Sequence, residues 1–124
     1  MFAHARLQAL VGTARPDAAM TFYHRILGLT LKSEDQFAFV FAVGEADLRL
    51  TKLPAVIPSP HPVVAFAVND LDAVLAGLAE AQVRLERFPM LPHDERGVWT
   101  SPDGARVIWF RDPDLNLLSA VQYR

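Results

Sequence analysis

The sequence predicts an α+β fold built from two modules of the same element order: strand, helix, strand, strand, strand. Three observations carry this reading. The alternation between strand-type and helix-type hydrophobic spacing runs through one cycle and then repeats. A segment with four prolines in nine positions, "PAVIPSPHP" (54–62), separates the two cycles and cannot lie in a central strand or helix. Hydrophobic residues make up 52% of the 124 positions, enough for a packed core in one domain and too many for a disordered chain. The repeat is one of element order, not of sequence identity. The expected organisation is module one at 5–53, a linker at 54–62 and module two at 63–123.

The first module opens with "RLQALVG" (6–12), whose alternation reads as a strand. Arg15-Pro16-Asp17 then marks a helix start, because proline is tolerated in the first turn. Phe22, Tyr23, Ile26 and Leu27 keep helical spacing, and Gly28 is placed to end the helix in a left-handed conformation. Three strands follow at "TLKSE" (30–34), "FAFVFAV" (37–43) and "DLRLTKL" (47–53), the last two joined by a tight turn at Gly44-Glu45.

The second module begins with the strand "VVAFAV" (63–68). Asn69 or Asp70 caps a helix over 70–81, with apolar positions at Leu71, Val74, Leu75 and Leu78. "VRLERF" (83–88) reads as a short strand, and "GVWTS" (97–101), "ARVIWF" (105–110) and "LLSAVQ" (117–122) as three more, with Asp103-Gly104 as a hairpin turn. The intervening "RFPMLPHDERG" (87–97) is broken by Pro89 and Pro92. It reads either as a lid carrying an acid or base among His93, Asp94 and Glu95, or as a solvated loop.

Bulk properties exclude several functions. Net charge is −2, with no basic run, so neither nucleic acid nor an anionic membrane is an expected partner. There is no cysteine, which removes disulfides, thiolate chemistry and cysteine metal sites. No stretch approaches the roughly 20 apolar residues of a membrane span, and residues 1–6 hold no apolar segment of signal-peptide type. A cytoplasmic protein is the expectation. Phosphate-cradling glycine loops and Ser-His-Asp spacings are not found.

Three stretches together resemble the vicinal oxygen chelate superfamily, which includes glyoxalase I, bleomycin-resistance proteins and extradiol dioxygenases. They are "PDAAMTFYHRILGLTL" (16–31), "VNDLDAVLAGLAEAQVRL" (68–85) and "GVWTSPDGARVIWFRDPDLNLLSAVQ" (97–122). The resemblance implies two βαβββ modules forming a curved mixed sheet, with helices on the convex side and a ligand in the concave cup. It also implies a homodimer. One departure stands out. The family usually places Gly where this chain has Leu115, after Asp112-Pro113-Asp114. The expectation is a shifted turn, with Asn116 taking the left-handed position.

Metal-dependent relatives place one ligand on each of four strands. By alignment these positions hold Gln8, Arg49, Val63 and Ser119. Glutamine can ligate. A guanidinium cannot, and it repels a cation. One good ligand in four falls short of the roughly three protein ligands of a catalytic zinc site, so no metal and no other cofactor is expected. The histidines at 4, 24, 61 and 93 share no metal-binding spacing.

Strand alternation then assigns the cup. Leu48 and Leu50 face the helices, leaving Asp47, Arg49 and Thr51 on the concave side with Gln8. Val63, Ala65 and Ala67 line it from module two, together with Leu117, Ser119 and Val121. Arg49 reads as an anchor for an anionic group or as the partner of Asp47. Trp99 and Trp109 read as walls for a planar ligand or as ordinary packing, and Phe37, Phe39 and Phe41 share one strand face. The expected ligand-binding set is therefore Gln8, Arg49, Val63, Ser119, Trp99 and Trp109, around an apolar or aromatic small molecule with an anionic group. Two rival readings stay open. One is a glyoxalase-type lyase, isomerase or dioxygenase using a displaced metal or none. The other is a dimeric interaction module whose cup is filled by side chains.

Overall fold

The computed structural model describes all residues from Met1 to Arg124. They form two four-stranded mixed sheets with few helices. The chain divides into two compact units between Ile57 and Pro58, inside the proline-rich segment.

In module one, β1 (Gln8–Thr13), β2 (Thr30–Glu34), β3 (Ala38–Val43) and β4 (Ala46–Lys52) lie in the order β1-β4-β3-β2. β1 runs parallel to β4, and the other pairs are antiparallel. Gly44, at φ 57°, supports the two-residue turn between β3 and β4. The helix after β1 departs from the sequence reading. Only Pro16–Met20 is α-helical (α1), and Thr21–Ile26 forms a π-helical turn, in which the Leu27 N–H reaches the Phe22 carbonyl. The wider turn buries both Phe22 and Tyr23, and the Tyr23 ring lies 6.1 Å from that of Phe41. Phe39, Phe41, Leu48, Leu50, Val11 and Thr13 make the helix-side core. Phe37 does not join them: it lies at the strand's start and is 59% exposed. Gln8, Leu10, Val40, Asp47, Arg49 and Thr51 alternate onto the opposite, open face.

In module two, β5 (Val64–Ala67), β6 (Trp99–Thr100), β7 (Arg106–Arg111) and β8 (Leu117–Gln122) repeat the same topology in the order β5-β8-β7-β6. α2 (Leu71–Glu80) is capped by Asp70, whose carboxylate accepts the Ala73 N–H. The Leu71 N–H is taken by the Gln122 side-chain oxygen, which ties the helix start to β8. Leu71, Leu75 and Leu78 bury against the sheet with Ile108, Phe110, Leu118 and Ala120. Residues 83–88 are not a strand. They make one bridge, Leu85 to Phe110; beyond it Arg87 and the Phe88 N–H turn to the 93–95 segment instead of the sheet.

The turn between β7 and β8 corrects a second expectation. Leu115 itself takes the left-handed conformation, at φ 68°, and Asn116 does not. The buried Asp112 carboxylate explains the choice. It accepts the N–H groups of Asp114 and Asn116 and the Asn116 side-chain amide. Those bonds fix Asn116 on the sheet side, so the reversal falls on Leu115 at a cost of about 1–2 kcal/mol.

Candidate functional site

The two open faces differ in chemistry, and each is built from its own sheet. In module one, the register sets Arg49 between Leu10 on β1 and Val40 on β3, and sets Asp47 between Gln8 and Ala42. Arg49 does not pair with Asp47. The Asp47 carboxylate instead accepts Arg6, at 3.0 Å, and Lys32, whose Nζ lies 3.0 and 3.2 Å from its two oxygens. Lys32 reaches it across β3, where Ala42 opposite Asp47 leaves room. The side chains of Arg49 and Gln8 make no hydrogen bond or ion pair. Asp35, in the turn after β2, lies within coulombic reach of Arg49. Its carboxylate accepts the Phe37 and Ala38 N–H groups, which hold its pKa below the usual range, with Arg49 and Lys52 adding to the effect.

In module two, Trp109 on β7 pairs with Ser119 on β8, which in turn pairs with Ala65 on β5. Trp99 pairs with Val107, so both tryptophans lie on the open face, their rings 6.2 Å apart. Residues 87–97 fold back onto Trp109. Phe88 meets it edge-on at 5.2 Å and His93 at 5.8 Å. His93 has both nitrogens committed. Nδ1 lies 2.9 Å from the Gly97 carbonyl, and Nε2 lies 2.9 Å from the Phe88 N–H. A carbonyl can only accept, so the proton sits on Nδ1. The Arg87 guanidinium donates to the carbonyls of Asp94 and Glu95. The segment is thus an internally bonded platform, and His93 has no lone pair to spare as a base.

The other expected residues fall as follows. Val63 precedes β5, with its N–H on the Leu117 carbonyl and its side chain exposed. Ser119 is only 6% exposed, beside Trp109. Gln8 is exposed at the start of β1. The sequence pointed to His93 as an acid or base and not as part of a platform, and it did not place Phe88 there or Arg6 and Lys32 on Asp47. The only signal for Phe88 and His93 together was their position at either end of a proline-bounded loop. A groove of about 300 Å³ lies elsewhere, between α2 and residues 83–85, with Arg96 at its rim. Arg96 is paired there with Asp72, and the remaining lining is apolar, so the groove holds no reactive group.

Residues 3–119 match the family model described as the Glyoxalase/Bleomycin resistance protein/Dioxygenase superfamily. The chain belongs to that superfamily. No curated protein sequence matches it. Among solved structures, lactoylglutathione lyase from Agrobacterium tumefaciens is similar, with TM-score 0.74 and 18% identity over 96% of this chain and 93% of that one. A glyoxalase-family protein from Bacillus anthracis gives 0.79 and 14% over 100% and 98%. The bleomycin resistance determinant encoded on transposon Tn5 gives 0.75 and 16% over 96% and 98%. At these identities the likeness shows the fold.

The superfamily implies a metal in its enzymes, and the residues at the four ligand positions do not fit one. Gln8 offers an amide oxygen and Ser119 a largely buried hydroxyl. Val63 offers nothing, and Arg49 brings a positive charge. No cluster of three or more His, Asp or Glu side chains forms a substitute site. No helix is long and apolar enough to cross a membrane.

Proposed function

We propose that this chain is a small-molecule-binding protein of the glyoxalase/bleomycin-resistance type that works without a metal at the family position. Its ligand is apolar or aromatic and carries an anionic group held by Arg49. One observation carries the reading: Arg49 presents an unpaired guanidinium on the open face, while the one carboxylate among the strand residues of that face, Asp47, is taken by two other cations. Arg49 is half-buried, flanked across the sheet by Leu10 and Val40, and a charge-assisted hydrogen bond to an anion is stronger than a neutral one. Gln8, two residues before Leu10 on β1, adds an amide that can donate or accept. Within module two, the aromatic platform of Phe88, His93, Trp99 and Trp109, with Ser119 beside Trp109 and Val63 before β5, offers a flat apolar surface of its own.

A homodimer is part of the proposal. β1 and β5 are both edge strands. Leu7 and Leu10 are 84% and 66% exposed, and Val63 is also exposed. Open apolar edges of this kind are normally covered. The cytoplasm suits a chain without cysteine.

Calorimetry with benzoate as a probe tests the anchor. Arg49→Ala should weaken binding by about 1.5–3 kcal/mol, tenfold to a hundredfold. Arg49→Lys should recover part of it, since a fork becomes a point charge. A change below about twofold, the level of an exposed pair, would end the anchor reading. Elemental analysis of protein purified without chelator tests the other half. Close to one equivalent of a transition metal, lost in Gln8→Ala, would contradict metal independence.

A further inference from the structure

We infer that the open face of module one is built for a ligand with two anionic groups, a dianion of the dicarboxylate class. The inference rests on the anion-anchor reading of Arg49 and goes beyond it. Arg6, Lys32 and Arg49 bring three cations to this face, against the Asp47 carboxylate and, at coulombic range of Arg49, the ionised Asp35, so the face stays net positive. The surplus sits in two places. One is Arg49 itself. The other is Asp47, where two cations crowd a single carboxylate: Arg6 and Lys32 share its Oδ1, and each keeps N–H groups to spare. Asp47 and Arg49 are alternate residues of β4, so the backbone positions that carry the two centres lie about 6.7 Å apart. A single phosphate spans less than this. Two carboxylates on opposite ends of a short chain or ring match it, and the apolar Leu10 and Val40 beside Arg49 suit the carbon skeleton between them. Glu34 on β2 is turned to Lys52, and Asp35, held ionised by two backbone N–H groups, makes no salt bridge to Arg49 and acts on it only at coulombic range.

Calorimetric titration of the full chain with benzoate, terephthalate and phenyl phosphate separates the outcomes, because the ring is constant and only the anionic groups change. Terephthalate should bind at least tenfold more tightly than benzoate, and more tightly than phenyl phosphate. Lys32→Gln should narrow the gap between terephthalate and benzoate. Asp47→Asn, which removes the carboxylate that Arg6 and Lys32 share, should tighten terephthalate by several-fold. Thermal melts of each variant establish that it is folded. Equal affinities for benzoate and terephthalate, both falling in Arg49→Ala, would overturn the dianion while leaving the single anchor in place. Phenyl phosphate binding as tightly as terephthalate would overturn the two-group spacing. Binding of no probe, or binding indifferent to Arg49→Ala, would overturn both proposals.

Discussion

The two modules share a topology and use their open faces in opposite ways. Module two has satisfied its face from within. His93 bonds the Phe88 N–H and the Gly97 carbonyl, Arg87 holds two more carbonyls, and the rings of Phe88 and His93 close on Trp109. Module one leaves Gln8 and Arg49 without partners and balances one carboxylate with two cations. The same strand register therefore yields a rigid apolar wall in one copy and an unsatisfied polar face in the other. Hydrogen-bonding capacity left free, at the half-buried Arg49 and the exposed Gln8, adds little to folding and supports the proposed anion anchor.

Substitutions in the two faces should behave accordingly. The largest effect is expected for Trp109→Ala, which removes the ring that Phe88, His93 and Trp99 all meet. It should cost about 2–4 kcal/mol of stability, in the range for large aromatic truncations, read by urea denaturation. A loss below about 1 kcal/mol would mean that the platform is loose. His93→Phe keeps a ring against Trp109 but leaves the Phe88 N–H and Gly97 carbonyl without their partner. The expected cost is about 1–3 kcal/mol, with faster hydrogen exchange confined to residues 87–97. Leu115→Gly should move the other way. Leu115 is 56% exposed, so little burial is lost. Relief of its positive φ, set against the added backbone entropy of glycine, should stabilise the chain by about 0.5–1 kcal/mol. Smallest of all, Arg49→Ala should shift stability by no more than about 0.5 kcal/mol, although it abolishes most anion affinity. A stability loss as large as that of His93→Phe would show that Arg49 serves the fold.

Much of the fold was legible because it rests on local signals. Alternation placed β1 to β5, β7 and β8 within two residues, Asp70 and Gly28 marked helix ends, and prolines marked the break between units. The faces followed too: Leu48 and Leu50 went to the core, and Arg49 went to the open side. What failed depended on partners distant in sequence or on exact backbone geometry. No spacing rule links Arg6 or Lys32 to Asp47, 41 and 15 residues away, so the expected local pairing of Asp47 with Arg49 could not be weighed against them. The π-helical turn is set by packing of Tyr23 on Phe41. The strain at Leu115 is set by three hydrogen bonds to Asp112, where propensity alone favoured Asn116 as the left-handed residue. The run at 83–88 had strand composition, but its last residues bond into the loop that follows, to His93, Asp94 and Glu95.

Arg49, which makes no hydrogen bond or ion pair within the chain, is the proposed anion anchor. The most direct measurement follows the Nε–Hε resonances of ¹⁵N-labelled arginines during titration with terephthalate at constant ionic strength. An anchor at Arg49 should give a saturable shift of its resonance with the same dissociation constant as calorimetry, while exposed Arg25, in the helical segment of the module, stays still. A shift of Arg49 that grows linearly without saturation, or one matched by Arg25, would reduce the contact to general charge screening and rule out the anchor.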